Sequence, residues 1–259
     1  MKTFTTKASA KRETKLSYLG GINTSSKILK GEKYNVMTYI LYLAPHNSSG
    51  YNVCAGATSE CINACLNESG HNKIDSRGII NNARQTKTKL FFEERNFFCG
   101  WLFSEIESAQ KKALKNGYDF SVRINGTSDI NLKLFNFDGV NILDKFSDVQ
   151  FYDYTKIANR FEQFKDRKNY DLTFSFSGGN WDKCKEILNN KLGRVAMVFE
   201  SKLPSKFDGF EVIDADAYDM RYKDNNGVIC GLKFKKVRNK IDQKNNAFII
   251  ALNDVRRNK

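Results

Sequence analysis

The first sustained apolar stretch of the chain runs from Met37 to Ala44, within a segment rich in β-branched and aromatic side chains. That pattern predicts a strand over residues 34–44, left through the breakers Pro45 and Gly50. Further on, apolar positions return at intervals of three and four. Ile79, Ile80, Ala83, Leu90 and Phe91 predict a helix over residues 76–95. Phe98, Leu102, Phe103, Ile106, Ala109 and Ala113 predict a second over residues 96–116, stopped at Gly117. From Tyr118 the rhythm changes to short apolar runs that end in polar loops. These predict strands at 119–125, 149–154, 172–177, 194–200, 210–214 and 227–233, with helical segments at 156–167 and 181–191 between them. A last strand-like run, residues 247–252, predicts an added edge. Strands alternating with helices imply βαβ units and a mainly parallel sheet. The expected fold is therefore α/β: a partial (βα) barrel of mainly parallel strands, with a cysteine-bearing loop after the first strand. It is expected as one domain, with a basic N-terminal arm over residues 1–33, the barrel over 34–232, and a basic C-terminal strand and tail over 233–259.

Composition supports a packed protein: of 259 residues, 41% are hydrophobic and 13% aromatic, enough to build a full core. No stretch approaches the roughly 20 apolar residues of a membrane span. The N-terminus, MKTFTTKASAKRETK, lacks an apolar signal core, which predicts a cytoplasmic protein of the host cell. The formal charge of +13 is unevenly placed. Residues 1–33 carry eight Lys/Arg against two acids and residues 233–259 nine against two, so the chain between them is neutral overall. Basic ends would attract DNA or RNA through phosphate contacts, and the same lysines equally serve solubility.

The candidate chemistry starts at Cys54, Cys61 and Cys65, with six and three residues in the gaps, on the loop after the first strand. Cys99, Cys184 and Cys230 sit inside apolar runs and read as small buried hydrophobes. Three thiolates suit a [4Fe–4S] cluster with one open iron, which could take S-adenosylmethionine. Zinc held by Cys54, Cys61, Cys65 and His71 is an alternative, and a metal-free loop is another. In a parallel sheet the C-terminal strand ends share one face, where sites form. Polar groups recur there, and Asn125, Gly126, Ser128, Asp129 and Ser177 are candidates for positioning a cofactor. Lys156 and Asp216 are the candidates nearer a substrate. The acidic run Asp214, Asp216, Asp219 and Asp224 could hold Mg²⁺ or form a solvated turn. Tyr152, Tyr154 and Trp181 could stack a nucleobase or pack against neighbours.

Several short signatures occur in one order: Leu43-Ala44-Pro45, then Cys54-Ala55-Gly56-Ala57 with Cys61 and Cys65, then Ala83-Arg84 with Thr86-Lys87-Thr88. Arg123-Ile124-Asn125-Gly126-Thr127-Ser128-Asp129-Ile130, Phe151-Tyr152-Asp153-Tyr154-Thr155-Lys156, and Asp214-Ala215-Asp216 with Asp219, Arg221 and Asp224 follow. Over residues 16–250 this set resembles the phage and plasmid family catalogued as gene product eighty-eight, which implies a protein encoded by a virus or mobile element. More coarsely, a strand, a three-cysteine loop and a partial barrel are similar to the layout of radical SAM enzymes. The expectation is a radical-SAM-like iron–sulfur enzyme acting on a macromolecule, possible nucleic acid included. The alternative is a nucleic-acid-binding replication or regulatory protein whose cysteine loop holds structural zinc or no metal.

Overall fold

Residues 1–33, expected to form an arm, are folded where the structure describes them. The structure is a computed structural model, and it describes residues 2–22, 29–65, 75, 77–235 and 245–251. Helix α1 (Lys7–Thr14) is started by Thr6 in a capping box with Ser9 and ended by Lys15 in the left-handed conformation. Only Ala10 of its eight residues is buried, so the sequence shows no apolar rhythm there. His71 and the basic stretches 236–244 and 252–259 lie outside the described residues.

The chain divides into two compact units: residues 1–55, 77–153 and 167–170, and residues 56–76, 154–166 and 171–259. In the first unit the strands are β1 (Gly20–Gly21), β2 (Val36–Leu41), β3 (Asp119–Arg123), a small antiparallel hairpin of β4 (Asn136–Phe137) and β5 (Val140–Asn141), and β6 (Gln150–Thr155) as far as Asp153. β1 runs antiparallel to β2, whereas β2, β3 and β6 are parallel. The two predicted helices are α3 (Ile79–Glu93) and α4 (Arg95–Lys115). The N-terminal half of α4 is buried nearly all round, through Phe97, Phe98, Cys99, Trp101, Leu102, Phe103 and Ile106. Gly100 lets two neighbours approach: a Cβ there would lie 2.7 Å from the Phe137 ring and 2.9 Å from Cβ of Phe4. Phe4 meets Phe97 and Phe137 edge-on, at 6.2 and 6.3 Å between ring centres. The short helix α5 (Ile142–Lys145) completes this unit.

The second unit has β7 (Tyr170–Ser175) from Asp171 on, β8 (Arg194–Phe199), β9 (Lys206–Phe207), β10 (Phe210–Asp214), β11 (Ile229–Lys233) and β12 (Ile249–Ile250). β8 is parallel to β7 and to β11, β10 is parallel to β11, and β9 closes an antiparallel hairpin with β10. The run expected to add an edge contains β12, which is parallel to β8: β8 pairs with β7 over Arg194–Ala196 and with β12 over Val198–Phe199. Its helices are α2 (Ser59–Asn63), α6 (Asn159–Gln163) and α7 (Trp181–Asn189). α7 lays Cys184, Ile187 and Leu188 on a core of Phe174, Val195, Met197, Phe199 and Ile229. The mainly parallel α/β architecture is thus present. Each unit's sheet is open, with strands at its margins, and neither closes into a barrel.

Docking of the N-terminal segment is a packing contribution that can be measured. Phe4→Ala should lower stability by about 2–3 kcal/mol, below the usual cost for a fully buried ring because Phe4 is half-buried. A urea titration should show a lower midpoint with an unchanged slope.

Candidate functional site

At the C-terminal ends of β2 and β3, the loop 125–130 is locked to its neighbours by its own polar groups. The amide of Gly126 donates to the Leu41 carbonyl at 3.0 Å, and the Thr127 hydroxyl to that of Leu43 at 2.5 Å. Asn125 is buried and acts in both senses. Its carbonyl oxygen accepts from the Ser128 hydroxyl and the Ile130 amide, both at 2.8 Å. Its backbone amide and Nδ2 donate to the two oxygens of Asp153, at 2.7 and 3.1 Å. The Tyr170 hydroxyl adds a third bond to Asp153 at 3.2 Å. All three donors favour a charged carboxylate, yet burial outweighs them and pushes Asp153 up to about 7. Sequence reasoning placed Asp153 at a strand end without singling it out; its position opposite Asn125 depends on the strand register.

Asn125, Gly126, Ser128 and Asp129 are therefore gathered as expected, and their hydrogen bonds hold the loop itself. Gly126 allows a close crossing, since a Cβ there would stand 2.6 Å from the Leu41 oxygen. Cys54 reaches the same rim: its thiol donates to the Thr127 carbonyl at 3.7 Å and accepts from the His46 amide at 3.5 Å.

Cys61 and Cys65 belong to the second unit. There Thr58 caps α2 by accepting from the Cys61 amide, and its hydroxyl donates to the carbonyl of Ser177, after β7, at 2.7 Å. Ser177 is buried, and its amide donates to Asn180 at 2.8 Å. Among the described residues, no three His, Cys, Asp or Glu side chains stand together as a set that could hold a metal ion. Lys156 is half-buried, with its Cβ close against Gly56. Asp216 accepts from the Lys233 amide at 2.9 Å and lies 3.6 Å from Nζ of Lys235, so its carboxylate fastens the end of β11.

The acidic run divides into two kinds of carboxylate. Asp214 and Asp216 pair at the surface with Lys233 and Lys235. Asp219 is buried with Arg221, which is 1% exposed, and the side chain of Asp224 is covered beside them. Arg221 lies 3.0 Å from Asp224, donates to the Tyr218 carbonyl at 2.7 Å and faces the Tyr218 ring at 4.6 Å. The Tyr218 hydroxyl also bonds Asp224. Arg194 joins from β8, donating to the Asp224 carbonyl at 2.9 Å and to Asp171 at 2.7 Å. Two of the four acids are thus neutralised inside the unit, which is a structural arrangement, not a Mg²⁺ cradle.

A different feature lies on the surface of the first unit. As the chain advances from Lys2 to Lys7 its contacts advance along the preceding turn and α4: Lys2 to Glu94, Phe4 to Phe97, and Nζ of Lys7 to the Ser108 hydroxyl at 2.6 Å. From that anchor both helices continue. On α4, Lys111, Lys112 and Lys115 follow Ser108 at three, four and seven residues, which puts them on one stripe. On α1, Lys11 follows Lys7 at four, with Arg12 and Lys15 beside it. Lys11, Arg12, Lys15, Lys111, Lys112 and Lys115 are exposed, and among the described residues none has an acidic partner. The charge of the N-terminal segment, legible in the sequence, is thereby joined to lysines from the middle of the chain that a regional count had averaged away.

A model of the family described as Gene product 88 matches residues 5–250. No curated protein and no solved structure matches the chain.

Asp153 gives this region a pH signature. Folded, it holds its proton up to about pH 7, whereas unfolded it loses it near the ordinary aspartate value of 3.8. Stability drawn from Asp153 is therefore full below that lower value and falls as pH rises through the window to about 7. Subtracting the denaturation profile of Asp153→Asn from that of the native chain should isolate this slope. The variant should also show a constant loss of about 1–3 kcal/mol, because its amide nitrogen faces donors.

Proposed function

The chain belongs to the gene product 88 family, and we propose that it is a phage- or mobile-element-encoded protein that binds nucleic acid. The observation that carries this reading is the ridge of six exposed cations along α1, its C-cap and α4, which have no acidic partner among the described residues. Phosphate groups would replace the missing partners, and each contact made would release condensed counterions. Binding should therefore weaken steeply with salt. Removing two contacts through Lys111→Gln with Lys112→Gln should lower affinity and reduce the slope of log K against log salt by about 1.5. These side chains are exposed, so an unchanged melting curve would separate the effect from folding. An unchanged affinity and slope would sink the reading. Deleting the first fifteen residues is a poorer test, because it would also remove Phe4 and Ala10 from the interior.

A second reading rests on Cys54, whose thiol stands against the loop after β3. In it, Cys54, Cys61 and Cys65, which do not stand as a metal-holding set in the structure, would gather on binding an iron–sulfur cluster, and the protein would be a radical-SAM-like enzyme. Anaerobic purification with iron and sulfide analysis distinguishes the two. Bound iron that is lost in Cys54→Ser and in Cys61→Ser would support the enzyme, and metal-free protein would retire it.

A further inference from the structure

Resting on the nucleic-acid reading, we propose that the ridge accepts a single strand, with bases stacked on Tyr18 and Tyr34 at its two ends. Tyr18 is 53% and Tyr34 46% exposed, and both belong to the same unit as the ridge. Tyr18 follows Lys15 by three residues and is fixed beside the middle of α4, because the next two amides, Leu19 and Gly20, donate to the Glu105 carboxylate at 3.1 Å. Nζ of Lys87 stands 4.8 Å from the centre of the Tyr18 ring, which holds that ring in place and adds a cation beside it. Tyr34 sits at the other end of α4. Its neighbour Asn35 donates through Nδ2 to the Gly117 carbonyl at 3.2 Å and accepts from the Asp119 amide at 3.0 Å. Lys30 and Lys33 are exposed in the same turn.

The two tyrosines are thus stationed at levels of α4 that ten residues separate, from Glu105 to Lys115, or about 15 Å of helix axis. Lys111, Lys112 and Lys115 lie within or at the end of that interval. At roughly 3.4 Å per nucleotide of a stacked strand, the interval corresponds to about four nucleotides. Cations tracking a backbone between aromatic platforms are what an unpaired strand requires, since its bases present open faces. A duplex keeps those faces inside and could use only the cations.

The test uses the full chain and fluorescence anisotropy with a short oligothymidylate, the matching oligouridylate and a duplex of equal length. The native protein should bind one or both single strands more tightly than the duplex. Tyr18→Ala and Tyr34→Ala should each weaken single-strand binding roughly tenfold while leaving duplex binding unchanged. Tyr18→Phe should retain the native affinity, because the ring and not the hydroxyl supplies the stacking. Equal affinity for duplex and single strand, or alanine variants that bind every probe like the native chain, would overturn the proposal. In that event a loss of binding in the Lys111/Lys112 variant would leave the broader reading standing. No binding to any probe would overturn both.

Discussion

The carboxylate of Glu105 decides where the N-terminal segment lies. It accepts from the amides of Leu19 and Gly20 and from the Tyr39 hydroxyl at 2.7 Å, so one ion ties the returning chain and β2 to the middle of α4. Hydrogen bonds to an ionised acceptor are among the stronger ones available to a protein. Tyr39 reflects the same contact, since burial and then the nearby Glu105 charge keep its hydroxyl well above the ordinary tyrosine range. Gly20 makes the approach possible, because a Cβ there would lie 2.5 Å from the Ile40 carbonyl oxygen. With this point fixed at one end and Phe4 seated over Gly100 at the other, α1 has one available course along α4. The cation ridge is the surface consequence of that course.

The two units bury charge by different means. In the first, three donors and the charge of Arg123 favour the Asp153 carboxylate, yet desolvation outweighs them and its proton is held to about pH 7. In the second, Arg221 and Arg194 lie among Asp224, Asp219 and Asp171, so each buried guanidinium has carboxylates beside it within the interior. Removing one member of such a set exposes the remainder to the full cost of an unpaired buried ion. The hydrogen-bonded carboxylate secures a loop at the strand ends, and the ion network secures the segment between β10 and β11.

The sequence made the strands and long helices legible because their apolar rhythm is strong. The predicted helices at 76–95 and 96–116 correspond to α3 and α4, and the strand at 210–214 to β10. α1 was not legible, because its order rests on a capping box and on one buried alanine, with no amphipathic stripe. The order of strands was equally out of reach, so nothing in residues 249–250 told that β12 would run alongside β8. At the candidate site, the chemistry of residues 125–129 was readable but its use was not. Asn125 and Ser128 were expected to face a cofactor, and their polar atoms bond to Asp153, to Ile130 and to each other. Residue type states what a side chain can donate or accept; only register states to whom.

The ridge carries an electrostatic cost that bears on its purpose. Lys7 and Lys11, Lys11 and Lys15, and Lys111 and Lys115 are like charges four residues apart, each pair unfavourable by about 0.2–0.5 kcal/mol. Solubility alone would be served as well by the same charges dispersed or interspersed with acids, without that penalty. The surface of α7 shows the dispersed alternative, with Lys183 paired to Glu186 and Lys185 to Asp182. A chain that pairs its surface lysines in one place and leaves six exposed cations together in another has a local excess of positive charge. Such an excess costs the fold a little, but it raises the concentration of a polyanion beside it and supplies the contacts that hold one.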